Sequence, residues 1–217
     1  MSEAPLRVGM FGGTFDPVHL GHLRSAVEIS ECLHLDKLHM IPAPQPPLRG
    51  QPQISAQDRL ALLEAGVKDT PGLIADGREL RRQGPSYSTL TLAELREEYG
   101  DTARLVMVLG QDAFLRLANW HQPEQLFALA HVVVMARPGY QPDRSAALKE
   151  LIGLREVDSV ASMMEEPKGK LLALTLPTPM GISATHIRQR LAEHSSVRYL
   201  LPEAVEEQIH ARQLYTF

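Results

Sequence analysis

Eleven residues near the amino terminus, Gly12-Gly13-Thr14-Phe15-Asp16-Pro17-Val18-His19-Leu20-Gly21-His22, combine paired glycines, a proline and two histidines three positions apart. Glycine lets backbone approach a phosphate closely, and a helix opening just beyond it aims unpaired N–H groups and a positive dipole end at the same point. An anion fits there. At the start of a helix His19 and His22 share a face, and Gly21 between them removes side-chain bulk, so two imidazoles would flank one phosphate. A helix amino terminus disfavours imidazolium while a bound triphosphate favours it, so the charge on these histidines is expected to follow ligand occupancy. The competing reading is two solvated histidines on a first helical turn. Asp16 is expected to be the helix N-cap, with Pro17 as the first helical residue, rather than a group that takes part in chemistry. Two other phosphate-binding patterns are excluded. The chain holds no G-x-x-x-x-G-K-[ST], and its first turn lacks the G-x-G-x-x-G order. The second apolar run ends in Ile41-Pro42, where a dinucleotide-binding dehydrogenase would place an acid on the ribose.

The scaffold that must position these residues is legible in the alternation of short apolar runs with helical patterns. That alternation predicts an α/β fold, a doubly wound Rossmann-like parallel sheet with helices on both faces, in a single domain over residues 1–217. Leu6 to Phe11 is the first predicted strand, followed by a helix with Leu20, Leu23, Val27 and Ser30 along one face. Leu38 to Ile41 is the second strand, ended by the stiff loop carrying Pro42, Pro44, Pro46 and Pro47. Ser55 with Asp58 resembles a capping box, opening a helix with Leu60, Leu63 and Val67 inward, and Leu73 to Ala75 follows as a strand. A helix from about Ser88 closes at Gly100; Arg104 to Leu109 is a buried strand, Gly110 to Leu117 a short helix, and His131 to Ala136 a fifth strand. The polar stretch from Gly139 to Lys170 is read as one peripheral helix and a mobile loop, Leu171 to Leu176 as the sixth strand, and helices are placed from Ala184 and from Pro202.

Composition narrows the function classes. The 217 residues carry 22 Lys plus Arg against 26 Asp plus Glu, a formal net charge of -4 that argues against a general polyanion binder and hence against a nucleic-acid partner. Cys32 is the sole cysteine, so there is no internal disulfide and no thiolate metal site, which suits a reducing compartment; a cytoplasmic protein is expected. The amino-terminal residues do not read as a leader and no apolar stretch has membrane-spanning length, so no membrane association is expected. Oligomeric state is left open.

Two segments far apart in the chain resemble the signatures of the H-x-G-H nucleotidyltransferases: His19-Leu20-Gly21-His22, and Ile182-Ser183-Ala184-Thr185-His186-Ile187-Arg188, which looks like the family's I-S-x-T-x-I-R segment. Between them, Pro85-Ser86-Tyr87-Ser88, Gly110-Gln111-Asp112 and Asn119-Trp120 resemble the bacterial nicotinate-mononucleotide adenylyltransferase branch, and the similarity runs from Arg7 to about Tyr215. The resemblance implies transfer of AMP from ATP to nicotinate mononucleotide, giving deamido-NAD and pyrophosphate, with magnesium carried by the ATP and no metal ligand set in the protein. It implies that His19, His22 and Arg188 act on the ATP phosphates, and that Gly12, Gly13, Thr14, Phe15, Ile182 and Ser183 complete the ATP site together with the helices from about residue 182. It places Arg49, Tyr87, Ser88, Gly110, Asp112 and Trp120 at the nicotinate nucleotide, with Trp120 stacked on the ring.

Each assignment has a plainer rival. Ser183 can cap the late helix, and Arg188 can form a surface salt bridge. Asp112 can cap a helix while also reaching ribose or phosphate, Trp120 can be a core or rim residue, and Tyr87 and Ser88 commonly serve as packing and cap. The sequence departs from the branch at Leu48, where histidine is common, leaving Arg49 alone to keep the charge, and at His121, where tyrosine is common. Arg78, Arg81 and Arg82 are read as a solvated face. The implied reaction is direct in-line attack on the α-phosphorus without a covalent enzyme intermediate. Alternatives are another acceptor, such as pantetheine phosphate or nicotinamide mononucleotide, or a nucleotide-binding regulator without turnover.

Overall fold

The computed structural model describes residues 4–44, 51–136, 139 and 142–215. In chain order these form β1 (Arg7–Gly13), α1 (Leu20–Leu33), β2 (Lys37–Pro42), α2 (Ala56–Val67), β3 (Leu73–Ala75), α3 (Arg78–Arg81), α4 (Ser88–Tyr99) and β4 (Arg104–Gly110). They continue with α5 (Gln111–Phe114), a 3-10 turn (Leu117–Asn119), α6 (Pro123–Leu129), β5 (His131–Ala136), α7 (Ala146–Ile152) and β6 (Glu156–Val157). The last elements are α8 (Val160–Met164), β7 (Leu171–Thr175), α9 (Ala184–Ala192) and α10 (Glu203–Ala211). The strands make one parallel sheet in the order β3-β2-β1-β4-β5-β7-β6, and its first five strands follow the Rossmann order. The expected α/β class is observed.

By contacts the chain divides into two compact units that interleave in sequence: the first comprises residues up to Phe11, Ile29–Leu38 and Tyr87–Pro177, and the second Gly12–Glu28, His39–Ser86 and the chain from Thr178 on.

The first unit is built on continuous apolar runs. Leu105 to Leu109 and Val132 to Val134 are buried at every position, the pattern of strands covered on both faces. β1 pairs with β4 through Phe11 against Val108, β4 with β5 through Leu109 against Val134, and β5 with β7 through Val134 against Ala173. α4 ends as read, at Gly100 in a left-handed conformation whose N–H returns to the Arg96 carbonyl. Arg96 itself is buried and donates to the carbonyls of Gly100, Ala103 and Leu129, tying the helix end to the segments that lead into β4 and β5. The stretch expected as one helix and a mobile loop holds three short elements, α7, β6 and α8, with Ser145 and Ser159 each capping a helix amino terminus by accepting an N–H three residues on. Residues 137, 138, 140 and 141 of that region's approach lie outside the described set. The helix expected over Gly110 to Leu117 breaks after Phe114 and resumes as the 3-10 turn.

In the second unit, Ser55 caps α2 as predicted, accepting from the N–H of Asp58. The inward face differs: Leu63 and Val67 are buried, Leu60 is half-buried, and Arg59 is fully buried. On the part of α1 in this unit, Leu23, Ala26 and Glu28 are buried, while Leu20 and Val27 are half-buried, so the buried stripe is rotated from the predicted one. The arginine cluster is corrected as well. Arg78 donates to Asp76 at 2.6 Å and Arg82 lies 3.5 Å from Glu79, leaving only Arg81 of the three well exposed. His39, also on Asp76 at 2.8 Å, completes a buried polar cluster in which two donors hold the Asp76 carboxyl well below the usual carboxylate range. Among the described residues no helix is long and apolar enough to cross a membrane.

Candidate active site

The glycine turn lies in the second unit. Gly13 ends β1, and a Cβ there would lie 2.9 Å from the Phe15 ring, so the turn requires a residue without a side chain. Phe15 is buried in a left-handed conformation, φ 49, and sets its ring edge-on to His22 at 5.1 Å. α1 begins at Leu20, three residues later than an Asp16 cap would give. Asp16 is not the N-cap because its carboxylate is occupied elsewhere: the Tyr215 hydroxyl donates to Oδ1 at 2.8 Å and the Gln53 N–H to Oδ2 at 3.0 Å. His19 takes the capping role. Its carbonyl accepts from the N–H groups of His22 and Leu23, and its Nδ1 lies 3.3 Å from the His22 N–H.

The two imidazoles stack, with centroids 3.6 Å apart and planes 21° apart. Gly21 makes this possible, since a Cβ at that position would lie 3.0 Å from His19 Nδ1 and 3.4 Å from Ile182. His19 is 5% exposed, and burial lowers its pKa to about 4, so in the free protein it is neutral. With Nδ1 accepting, its proton sits on Nε2, which is therefore a donor.

Arg188, on α9, comes to the same turn. Its Nη1 donates to the Asp16 carbonyl at 2.7 Å and lies 3.7 Å from the Asp16 carboxylate, Nη2 reaches Thr185 at 3.3 Å, and its buried Nε has no hydrogen-bond partner among the described residues. Ser183 occupies the N-cap position of α9, as read, with its carbonyl accepting from the Ile187 N–H, but it is exposed and its hydroxyl makes no cap bond. Gly12 is exposed, while Thr14 and Ile182 are half-buried around the turn.

Two residues at this turn escaped sequence reading. Arg59, 0% exposed, donates to the carbonyls of Thr14 at 2.6 Å, Ala43 at 2.8 Å and Pro44 at 3.0 Å, pinning the glycine turn to the end of β2. Tyr215, 1% exposed, is the other, through its bond to Asp16. No local pattern marks either; each is defined by partners distant in sequence. Arg49 and Leu48 lie outside the described residues, as do Pro46 and Pro47.

Of the residues that the resemblance places at the nicotinate nucleotide, Tyr87, Ser88, Gly110, Asp112 and Trp120 lie in the first unit. Gly110 ends β4 and precedes α5 directly, with open space where a Cβ would stand, and Asp112 is exposed in the first turn of that helix. Trp120 follows the 3-10 turn, half-buried, and its buried Nε1 has no hydrogen-bond partner among the described residues. Tyr87 immediately precedes α4, makes no side-chain cap bond, and stacks on His121 with centroids 4.0 Å apart, so histidine preserves a ring contact at this departure from the branch pattern. Ser88 is the first residue of α4, and the neighbouring Thr89 hydroxyl is buried without a hydrogen-bond partner among the described residues.

The backbone is similar to that of solved Plasmodium falciparum nicotinic acid mononucleotide adenylyltransferase, one structure complexed with APC and another with NaAD. Each has a TM-score of 0.69 and covers 98% of both chains, at 14% and 15% identity respectively, which speaks for the fold. Residues 10–190 match the cytidylyltransferase-like family, so fold and turn together define a nucleotidyltransferase of that class. A relative from Chromohalobacter salexigens named nicotinate-nucleotide adenylyltransferase is 59% identical over 97% of this chain and 96% of its own, and a Pseudomonas fluorescens relative of the same name is 43% identical over 96% and 97%. The chain belongs to the nicotinate-nucleotide adenylyltransferases.

Proposed function

We propose that the chain transfers AMP from ATP to the phosphate of nicotinate mononucleotide, giving deamido-NAD and pyrophosphate, a step of NAD biosynthesis. The observation that carries the site assignment is the stacked His19–His22 pair with Arg188 fastened to the same turn through the Asp16 carbonyl. A phosphate oxygen of the mononucleotide attacks the α-phosphorus; the new P–O bond forms as the bond to the bridging oxygen breaks, and pyrophosphate leaves with that electron pair. The attacking oxygen is already anionic, so no general base is required. The protein positions two repelling anions and disperses the charge of the transition state. His19 supplies an Nε2 donor, Arg188 a permanent charge with an unengaged Nε, Ser183 an exposed hydroxyl, and the turn of Gly12 to Phe15 its backbone.

Magnesium would be carried with the triphosphate, with substrate oxygens and water supplying most of its ligands and charge neutralisation as the chemistry it would contribute. The turn itself does not fit as its holder, because the Asp16 carboxylate is already engaged by Tyr215 and Gln53. On the acceptor side Trp120 stacks on the pyridine ring, with Gly110 and Asp112 beside the nucleotide. The first N–H groups of α4, at Ser88 and Thr89, and the unengaged Thr89 hydroxyl present donors to the ring substituent. A carboxylate only accepts, whereas a carboxamide brings its own NH₂ donor, so the acid acceptor is favoured. The lone Cys32 suits a reducing cytoplasm.

The test is an assay of ATP against a panel of acceptor nucleotides, read by product mass. Deamido-NAD should dominate, with nicotinate mononucleotide favoured over the amide by at least about tenfold in kcat/KM. Equal use of both, or dominance of another acceptor, would refute the acceptor assignment.

A further inference from the structure

The Asp16 carboxylate lies at the centre of a buried network that the transfer chemistry does not itself require. Tyr215, beyond α10, is held in a left-handed conformation, φ 62, as the chain closes with the Leu214 N–H on the Ile209 carbonyl, and its hydroxyl reaches Asp16 Oδ1 at 2.8 Å. The other carboxylate oxygen takes the Gln53 N–H, and the backbone carbonyl of the same aspartate takes Arg188 Nη1 at 2.7 Å. Every polar atom of Asp16 that faces this network therefore serves to fix one conformation. Arg188 is fastened at one corner of its guanidinium, with Thr185 on another, and Nε is left over. A planar fork is useful only when its orientation is fixed beforehand.

We propose that Tyr215 is a positioning residue for adenylyl transfer: its hydroxyl locks Asp16, and Asp16 orients Arg188 toward the triphosphate. This rests on the reading that Arg188 binds ATP phosphates. Burial and the neighbouring carboxylate push the Tyr215 phenol well above its ordinary pKa, so it stays a neutral donor throughout the working range. The aromatic ring alone would satisfy packing, and only the hydroxyl serves the lock. That separates the two roles experimentally.

Steady-state kinetics of the full chain provide the test, using Tyr215→Phe, Asp16→Asn, Arg188→Ala and the Tyr215→Phe/Arg188→Ala pair, with melting temperatures to confirm folding. Tyr215→Phe should raise KM for ATP by about tenfold, the size of one hydrogen bond to a charged group, and leave KM for the mononucleotide unchanged. Asp16→Asn should give the same ATP-selective defect should the tyrosine variant prove unstable. In the Arg188→Ala background Tyr215→Phe should cost nothing further, because residues acting in series are non-additive. Wild-type ATP kinetics for folded Tyr215→Phe, or an equal loss in both backgrounds, would overturn the lock. Wild-type ATP kinetics for Arg188→Ala would instead overturn the Arg188 reading, and the lock with it.

Discussion

The turn after β1 and the turn after β4 both leave a buried strand at a glycine and lead to a helix, but their polar groups are treated differently. Around the first, most charged and polar side chains are tied down within the fold: Arg59 holds three carbonyls, Asp16 takes Tyr215 and Gln53, and His19 receives the His22 N–H, with the Arg188 Nε left over. Along the segment that follows the second, the Trp120 Nε1 stays buried without a partner among the described residues, as does the Thr89 hydroxyl on α4 of the same unit. A site for a highly charged, shared substrate such as ATP gains from donors fixed in advance, because reorganisation at the moment of reaction is avoided. An acceptor site that must tell one ring substituent from another is served by donors that only the right ligand satisfies, since a mismatched ligand leaves them unpaired.

The largest effects should separate the two turns. Replacing His19 or His22 by Ala should lower turnover by roughly 10²- to 10⁴-fold while the protein stays folded, as judged by circular dichroism and initial rates. Near-normal activity in either folded variant would remove the histidines from the site. Next in size, Arg188→Ala should weaken ATP use by about 10- to 100-fold, and Arg188→Lys should recover only part of it, since a point charge does not reproduce a bidentate fork. Equal ATP kinetics for the lysine variant and wild type would show that fork geometry is irrelevant.

A smaller loss is expected on the acceptor side. Trp120→Ala should raise KM for both mononucleotides by roughly tenfold, within the range of an aromatic stacking contact, and leave their ratio and KM for ATP nearly unchanged. A change confined to ATP would reverse the assignment of the two turns. The smallest effect concerns stability. Burial lowers His19 and, in the first unit, His131 from 6.5 to about 4. The unfolded chain thus binds protons that the folded chain does not, so these two groups should make stability fall as pH drops from about 6.5 to about 4, with no further loss from them below that. Urea melts across this window should show a shallower slope for His131→Gln with KM for ATP unchanged; an unaltered slope would mean that His131 is not held neutral by its buried setting.

Much of this architecture was legible because it is local. Arg104 to Leu109 and His131 to Ala136 are continuous apolar runs, Ser55 and Asp58 form their cap three residues apart, and Gly100 stops a helix by the conformation only glycine adopts easily. The signatures at His19–His22 and Ile182–Arg188 were equally visible as motifs. What escaped was non-local. Asp16 looked like a cap because Tyr215, its true partner, lies 199 residues away, and Arg59 sits among helical leucines as an ordinary solvated charge until the carbonyls of Thr14, Ala43 and Pro44 converge on it. The elements α7, β6 and α8 were not separated within a polar stretch because each is too short to sustain a pattern: Leu148, Leu151 and Ile152 keep helical spacing over little more than one turn, and β6 is two residues long.

The claim that the triphosphate settles on the histidine pair is tested most directly by NMR titration of the His19 ring with and without saturating magnesium-ATP. In the free protein His19 should titrate at about 4, held down by burial, and ATP binding should move that value upward as phosphate charge stabilises the imidazolium. An unchanged His19 titration at saturating ATP would contradict the account, because a triphosphate bound at this turn cannot leave its buried neighbour electrostatically untouched.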